Sequence, residues 1–250
     1  MIKLKQFMLT AIYMVFGRHN IKIMKKLLAF LLVLVMVFTG FSCTFSSQST
    51  IKFGTQNGKP ISWYVVFDEG DKQILMSEYL LDTMPYNDNN DMVDWGDTTL
   101  REYLNTDFVN EHFSKEERER MVYTNDVDND VVTMPSINNL LDIYGELNYM
   151  PDGFYNAKDF FAANKKIIAK PSEQALYNEI EVFDNATFAE IMQQDVDKRY
   201  DFANGHSAYW LLNKTEDKQN VYYVTSAGYI TYVEPNTEYI GIRPMIRIKK

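Results

Sequence analysis

The sequence predicts an α+β domain, with β-strands towards its two ends and helices between them. Residues 61–67 are rich in β-branched and aromatic side chains, which is the composition of a buried strand. Residues 221–225 and 228–233 are two further strand-like runs on either side of a short turn. Between these regions, residues 100–108 carry apolar side chains at helical spacing. Strands that enclose helices in this way predict a domain whose terminal strands pair.

Local signals define the connections between these elements. Residues 68–71 form a polar, glycine-containing turn, so residues 61–67 and 73–77 are expected to form a hairpin. Ser114 is followed three residues later by Glu117, the spacing of a capping box at the start of a helix. Residues 240–248 are predicted to supply the closing strand.

The first 43 residues have the features of an export signal. Met24-Lys25-Lys26 precedes twelve apolar residues, 27–38, and a short stretch then leads to Cys43. This apolar run is shorter than the roughly 20 residues that span a membrane. We therefore expect residues 1–43 to be an N-terminal extension and signal peptide, with translation starting at Met1 or Met24. The alternative is a pair of short membrane-associated segments, residues 7–16 and 27–38.

Cys43 is the only cysteine in the chain, so the protein cannot form an internal disulfide. Its position after Gly40-Phe41-Ser42 resembles a bacterial lipoprotein box, although Gly40 stands where such boxes usually have leucine. The resemblance implies that Cys43 is the lipid attachment site and that the membrane is a partner through this anchor. Without acylation, cleavage would release a secreted protein, so the domain is expected to be exported in either case. Residues 44–50 are a short tether, and residues 51–250 a single domain.

The charge distribution argues against nucleic acid as a partner. The first 43 residues contain six of the 25 basic residues and no acidic residue, so the rest of the chain has 19 basic and 34 acidic residues. The exported part therefore carries a net charge near −15 and should repel phosphate backbones. No basic stripe in the sequence would reverse this expectation.

Two motifs carry a resemblance to a bacterial family. Residues 95–105 contain a tryptophan followed by Leu-Arg and Leu-Asn pairs, and residues 241–244 are Gly-Ile-Arg-Pro. In this order they resemble the family designated domain of unknown function 6273, over roughly residues 51–250. Leu212 departs from the family pattern, which usually has arginine after the Trp-Leu pair.

The resemblance implies a C-type-lectin-like fold, similar to that of formylglycine-generating enzymes and phage receptor-binding tips. Such a fold has a mixed antiparallel sheet, two or more helices, long loops and adjacent N- and C-terminal strands. The family carries no established activity, so the resemblance predicts the fold and leaves the function open.

The sequence offers few residues for catalysis, and we predict no catalytic residue and no required cofactor. No cysteine follows Cys43, so the copper-binding cysteine pair of formylglycine-generating enzymes is missing. His112 and His206 are far apart in sequence and do not form a zinc motif. Ser207 directly follows His206, but adjacency in sequence does not make a nucleophile–base pair.

A calcium site is the one cofactor that the pattern allows. Asp126, Asp128 and Asp130 alternate like the first three ligands of a calcium loop. The pattern then departs from an EF-hand, because Val131 and Ile137 stand where glycine and glutamate are needed. The alternative is a solvated acidic turn.

Aromatic residues fall into two predicted groups. Trp63, Trp95 and Trp210 lie in apolar runs and are predicted to be core residues. The possible ligand-binding aromatics occupy a segment punctuated by Gly and Pro, and they are Tyr144, Tyr149, Phe154 and Tyr155. Arg243, inside the closing strand, is predicted to pair with an internal acidic residue.

Together these features favour a binding module over an enzyme, with a protein or glycan ligand at the cell surface. The first alternative is an extracytoplasmic hydrolase that uses paired carboxylates on glycans. The second is a structural protein of the envelope. A shallow surface of loop aromatics would favour binding, and a cleft with two facing carboxylates would favour hydrolysis.

Overall fold

Two β-sheets organise the chain. The computed structural model describes residues 49–91, 94–124, 129–150, 164–192, 198–217 and 219–250. Within these residues the strands are β1 (Thr50–Gln56), β2 (Lys59–Asp68), β3 (Lys72–Ser77), β4 (Asp82–Thr83), β5 (Met121–Val122), β6 (Val132–Thr133), β7 (Asn148–Tyr149), β8 (Tyr209–Lys214), β9 (Val221–Val224), β10 (Tyr229–Val233), β11 (Gly241–Ile242) and β12 (Met245–Lys249). Residues 48–250 form one compact unit.

The first sheet has the order β1-β2-β3-β12-β5, and β6 also pairs with β12. All of these pairs are antiparallel. The predicted hairpin of residues 61–67 and 73–77 is confirmed, because β2 pairs with β3 and places Trp63 opposite Ser77. Its strands are rich in β-branched and aromatic residues, which pack well on a pleated surface.

The predicted pairing of the terminal strands is wrong. β1 and β12 belong to the same sheet, but β2 and β3 lie between them. β1 is joined to β2 by a two-residue turn at Asn57 and Gly58, whose φ angles of 53° and 74° suit a tight hairpin. This turn places β1 directly against β2, and the β2–β3 hairpin fills the other side of β2. β12 pairs with the outer edge of β3 and leaves β1 as an edge strand of the sheet.

The second sheet has the order β4-β11-β8-β9-β10-β7. Its β8-β9-β10 part is an antiparallel meander, while β11 with β8 and β10 with β7 are parallel pairs. The closing strand predicted over residues 240–248 is therefore two strands, since β11 joins this sheet and β12 joins the first. The chain changes sheet at Arg243 and Pro244, where proline cannot donate a ladder hydrogen bond.

Helices fill the middle of the chain, as predicted. In the part of the chain that the structure describes, two 3₁₀-helices lie at Trp95–Asp97 and Lys198–Ala203. The α-helices of this part are α1 (Thr99–Asn105), α2 (Asp107–His112), α3 (Lys115–Arg120), α4 (Ile137–Tyr144), α5 (Glu173–Tyr177) and α6 (Asn185–Met192). The predicted capping box is confirmed: the Ser114 hydroxyl accepts from the Glu117 N–H, and the Glu117 carboxylate accepts from the Ser114 N–H.

All three tryptophans belong to the core, which confirms their prediction as interior residues. Trp63 and Trp210 are fully buried and Trp95 is nearly so. The Trp63 indole donates a 2.7 Å hydrogen bond to the Phe53 carbonyl oxygen, so its one polar atom is satisfied. Helices and mainly antiparallel sheets sharing such a core confirm the α+β class.

Several predictions fall on residues outside the described part of the chain. These are the signal peptide with Cys43, nearly all of the tether, Asp126, Asp128, Phe154 and Tyr155. Among the residues that are described, no helix has the length and apolar character needed to span a membrane.

Candidate functional site

Arg243 lies at the point where the chain passes between the two sheets, and it is only 2% exposed. Its Nε donates to the Ser77 carbonyl oxygen at 3.2 Å, and its Nη1 donates to the Ile167 carbonyl oxygen at 2.9 Å. Nη1 also lies 3.3 Å from the Tyr209 hydroxyl oxygen. The guanidinium carbon is 5.2 Å from the centre of the Tyr209 ring, a cation–π distance.

These contacts correct the predicted role of Arg243. Within the described residues its partners are neutral oxygens and an aromatic ring, and no carboxylate pairs with it. Arginine stays charged when buried, so the fold retains a desolvated positive charge that makes no direct ion pair within the described residues. Such a charge is costly unless it is well hydrogen-bonded or meets an anion.

A concave site of about 260 Å³ opens over this guanidinium, and we call it the Arg243 pocket. Its wall carries two lysines, Lys166 and Lys170, together with His206. The remaining polar groups are the Glu78 carboxylate and the hydroxyls of three tyrosines, Tyr64, Tyr79 and Tyr144.

The Arg243 pocket is positively charged, although the domain around it is acidic. Arg243, Lys166 and Lys170 outnumber the single carboxylate, Glu78, among the described residues of the wall. Burial raises the pKa of Tyr64, and the nearby Glu78 charge raises it further. The Tyr64 hydroxyl is therefore a neutral hydrogen-bond donor at physiological pH.

His206 adds a group whose charge depends on pH. Burial lowers its pKa below 6.5 and the Lys170 charge adds to this, while hydrogen bonds to the Ala203 and Asn204 carbonyls act in the opposite direction. Its Nδ1 lies 3.1 Å from the Asn204 carbonyl oxygen, so Nδ1 carries the proton in the neutral ring. Protonation of Nε2 at lower pH adds a donor and a positive charge to the pocket.

A second concave site of about 350 Å³ lies between the β1–β2 hairpin and α5, and we call it the Gln174 groove. Tyr79 is 41% exposed and lines both the groove and the Arg243 pocket. Asn57 donates through Nδ2 to Oε1 of Gln174 at 2.7 Å across the groove. Lys59 forms an ion pair with Glu173 at 2.6 Å in its wall.

Of the aromatic residues predicted to bind a ligand, the structure describes Tyr144 and Tyr149, and it places them in different surroundings. Tyr144 is only 6% exposed, so the expectation of an exposed loop residue is wrong. It is the last residue of α4, four residues after the buried Leu140, and this spacing turns it towards the interior. Tyr144 instead lines the Arg243 pocket, whereas Tyr149 on β7 is 53% exposed and does not line it.

Asp130, the third predicted calcium ligand, is buried and already hydrogen-bonded. Its Oδ1 accepts from Arg101 Nε at 2.8 Å, and its Oδ2 accepts from Trp95 Nε1 at 2.7 Å. Within the described residues, no group of three or more His, Cys, Asp and Glu side chains is placed to hold a metal ion. Because Asp126 and Asp128 lie outside these residues, the calcium site stays a prediction.

Sequence reasoning missed most of the Arg243 pocket. Lys166 and Lys170 come from the segment before α5, Tyr64 from β2, and Glu78 from the residues after β3. The sequence singles out Arg243 and His206 separately, but no local spacing links His206, before β8, to Arg243, between β11 and β12. Ser207 has a buried hydroxyl without a hydrogen-bond partner in the described structure, so it forms no pair with His206.

The fold and the pocket together define an α+β domain whose Gly-Ile-Arg-Pro segment places a buried arginine beneath a cationic cavity. The family described as Domain of unknown function (DUF6273) matches residues 70–250, and the chain belongs to this family. The matched residues include both sequence motifs and Arg243. No curated protein and no solved structure matches the chain.

Proposed function

We propose that this protein is an exported binding module that holds an anionic group of its ligand over Arg243. The observation that carries the proposal is the buried guanidinium, which lines a pocket and has no carboxylate partner in the described structure. Arginine keeps its charge when buried, and its charge-assisted hydrogen bonds to an anion such as carboxylate are stronger than those to neutral groups. Lys170 and the tyrosine hydroxyls supply further positive charge and donors.

The proposed function includes the location at the cell surface that the sequence predicts. A signal peptide ending at Cys43 would deliver the domain outside the cytoplasm, and acylation of Cys43 would anchor it to the membrane. The mixed sheets, helices and long connections are compatible with a lectin-like fold, which presents its ligand site on loops. The ligand is a protein or a glycan that carries an acidic group.

The composition of the pocket favours binding over hydrolysis. Glycoside hydrolysis normally requires two carboxylates that flank the bond to be broken. Among the described residues, Glu78 is the only carboxylate in the wall of the Arg243 pocket. A hydrolase acting on glycans therefore lacks support from this site, and a structural envelope protein would not need a charged pocket.

A titration with simple anions tests the proposal. Calorimetry of the full chain in mild detergent should show binding of glucuronate and no binding of glucose. Lys170→Ala should weaken glucuronate binding by about threefold to tenfold, because one charged contact is lost. The matched control is Lys115→Ala, an exposed lysine on α3 outside the pocket. Equal binding of glucose and glucuronate would refute the proposal, as would equal effects of the two substitutions.

Export is tested separately. Cells that produce the chain are fed an alkyne-labelled fatty acid, and the protein should become labelled unless Cys43→Ser is introduced. Mass spectrometry should find a mature N-terminus at residue 43. An intact N-terminus on cytosolic protein would refute export, and a mature but unlabelled chain would indicate a secreted protein.

A further inference from the structure

We infer that the ligand is an acidic oligosaccharide that occupies the Arg243 pocket and the Gln174 groove together, passing over Tyr79. The inference rests on the proposed function and specifies its ligand. An acidic group of the sugar chain lies against Arg243, the adjoining ring packs on Tyr79, and the following units lie in the groove.

The pocket and the groove are two parts of one surface. Tyr79 lines both, and Lys170 in the pocket wall is followed directly by Pro171 in the groove wall. Two backbone hydrogen bonds hold these segments side by side: the Leu80 N–H donates to the Lys170 carbonyl at 2.9 Å, and the Ser172 N–H donates to the Leu80 carbonyl at 2.8 Å. The two sites therefore keep a fixed spacing, which an extended ligand can span.

The groove suits a sugar better than a peptide. A peptide that adds to a domain through its main chain needs unpaired backbone groups on the receptor. At the groove, the Leu81 carbonyl already accepts from the side chains of Gln56 and Ser172, and the Leu81 N–H donates to the Ile242 carbonyl.

Side chains supply the recognition groups instead. The amides of Asn57 and Gln174 each carry both donors and acceptors, which match sugar hydroxyl groups. The half-exposed ring of Tyr79 offers an apolar face with a polar end, the arrangement that packs against a sugar ring. The two amides and the Tyr79 ring together suit an oligosaccharide, whose rings carry many hydroxyl groups.

The charge of the combined surface predicts that the oligosaccharide is acidic along its length. Lys52 and Lys59 lie in the groove, where the only described carboxylate of the wall is Glu173. Together with Arg243, Lys166 and Lys170, five cations face two carboxylates across the described pocket and groove. In a domain with 34 acidic and 19 basic residues after residue 43, this local reversal of charge attracts polyanions.

The test measures by calorimetry how tightly each of four probes binds to the full chain. The probes are galacturonate, a short oligogalacturonate, its methyl ester and an oligoglutamate peptide of equal charge. The oligogalacturonate should bind at least about tenfold more tightly than galacturonate, because it also contacts the groove. Methyl esterification should abolish binding, and the peptide should bind no more tightly than galacturonate.

Substitutions in the Gln174 groove test whether the oligosaccharide contacts it. Gln174→Ala and Lys52→Ala should each weaken oligogalacturonate binding by about threefold to tenfold and leave galacturonate binding unchanged. Tyr79→Ala should weaken oligogalacturonate binding, whereas Tyr177→Ala, an 82% exposed tyrosine on α5 outside the groove, should not. Circular dichroism confirms that each variant is folded.

Each outcome separates this inference from the proposed function. If galacturonate binds but the oligomer binds no more tightly, the inference is overturned and the anion pocket stands. Tighter binding of the peptide overturns the inference in favour of an acidic protein partner. If none of the acidic probes binds, both proposals fail.

Discussion

Trp95 donates a 2.7 Å hydrogen bond from Nε1 to Oδ2 of Asp130. This bond connects the first residue of the 95–105 motif to the last aspartate of the predicted calcium loop. Arg101, from the same motif, contacts the other carboxylate oxygen of Asp130 at 2.8 Å. Asp130 therefore holds the 3₁₀-helix and α1 together from inside the protein.

Replacing Asp130 by asparagine should destabilise the protein. Asp130→Asn keeps the size of the side chain but removes the carboxylate charge that contacts Arg101 and an acceptor for one of the two donors. We expect the free energy of unfolding to fall by about 3 kcal/mol, the usual cost of breaking a buried ion pair. Denaturant unfolding followed by tryptophan fluorescence measures the change.

The control for this variant is Asp142→Asn on α4, where the aspartate is exposed. It should change the free energy of unfolding by no more than about 0.5 kcal/mol. Similar losses for the two variants would contradict the role assigned to Asp130.

Gly228 and Gly58 provide a matched pair, because both have positive φ angles, 83° and 74°. A Cβ at Gly228 would lie 2.3 Å from the Asn164 carbonyl oxygen, whereas one at Gly58 would meet nothing within 4 Å. Gly58→Ala should therefore cost about 1 kcal/mol of backbone strain. Gly228→Ala should cost about 3 kcal/mol or more, since strain and overlap add. Thermal unfolding measures the stability of the two variants. Equal losses of stability would show that the backbone at Asn164 moves away from the added Cβ and that the overlap costs nothing.

Glu117 should make stability depend on pH in the acid range. Burial raises its pKa, but hydrogen bonds from the N–H groups of Gly54 and Ser114 outweigh this effect, and the pKa lies below its usual value of 4.5. The stabilisation is therefore complete above the unfolded-state pKa and is lost as pH falls through the lower folded-state pKa.

The variant Glu117→Gln isolates this charge, because glutamine can still complete a capping box. Relative to the wild type, it should lose about 0.5 kcal/mol at pH 7, a small value because solvent screens the partly exposed carboxylate. This difference should shrink as the pH falls below 4.5 and the carboxylate becomes protonated. A difference that stays constant between pH 7 and pH 3 would contradict the assignment.

Ser77 has a fully buried hydroxyl that makes no hydrogen bond within the described residues. Ser77→Ala removes this unsatisfied group, so the free energy of unfolding should stay unchanged or rise by about 1 kcal/mol. Ser136→Ala is the comparison, because the Ser136 hydroxyl caps α4 and its loss should cost about 1 kcal/mol. Chemical denaturation distinguishes them, and a clear loss of stability for Ser77→Ala would reveal a missing partner.

Local signals predicted the elements of the fold more successfully than their arrangement. The Ser114 capping box and the β2–β3 hairpin depend on residues close in sequence, and both are confirmed. The position of β12 depends on which strand edges the neighbouring hairpins leave open, and this is decided by competition between distant segments.

The candidate site was harder to predict for the same reason. Arg243 was identified as an interior residue, but an acidic partner was expected because buried charges are usually paired. The neutral partners of Arg243, from Ser77, Ile167 and Tyr209, lie 34 to 166 residues away in sequence. No periodicity within one element could have brought them together.

The central place of β12 affects how the protein matures. This strand joins β3 on one side to β5 and β6 on the other, so the first sheet stays split until residues 245–249 have been synthesised. Contacts that wait for distant residues form late. If the chain is exported as proposed, the late closure of this sheet would keep it unfolded while it passes through a narrow membrane channel, and the sheet would form after the crossing.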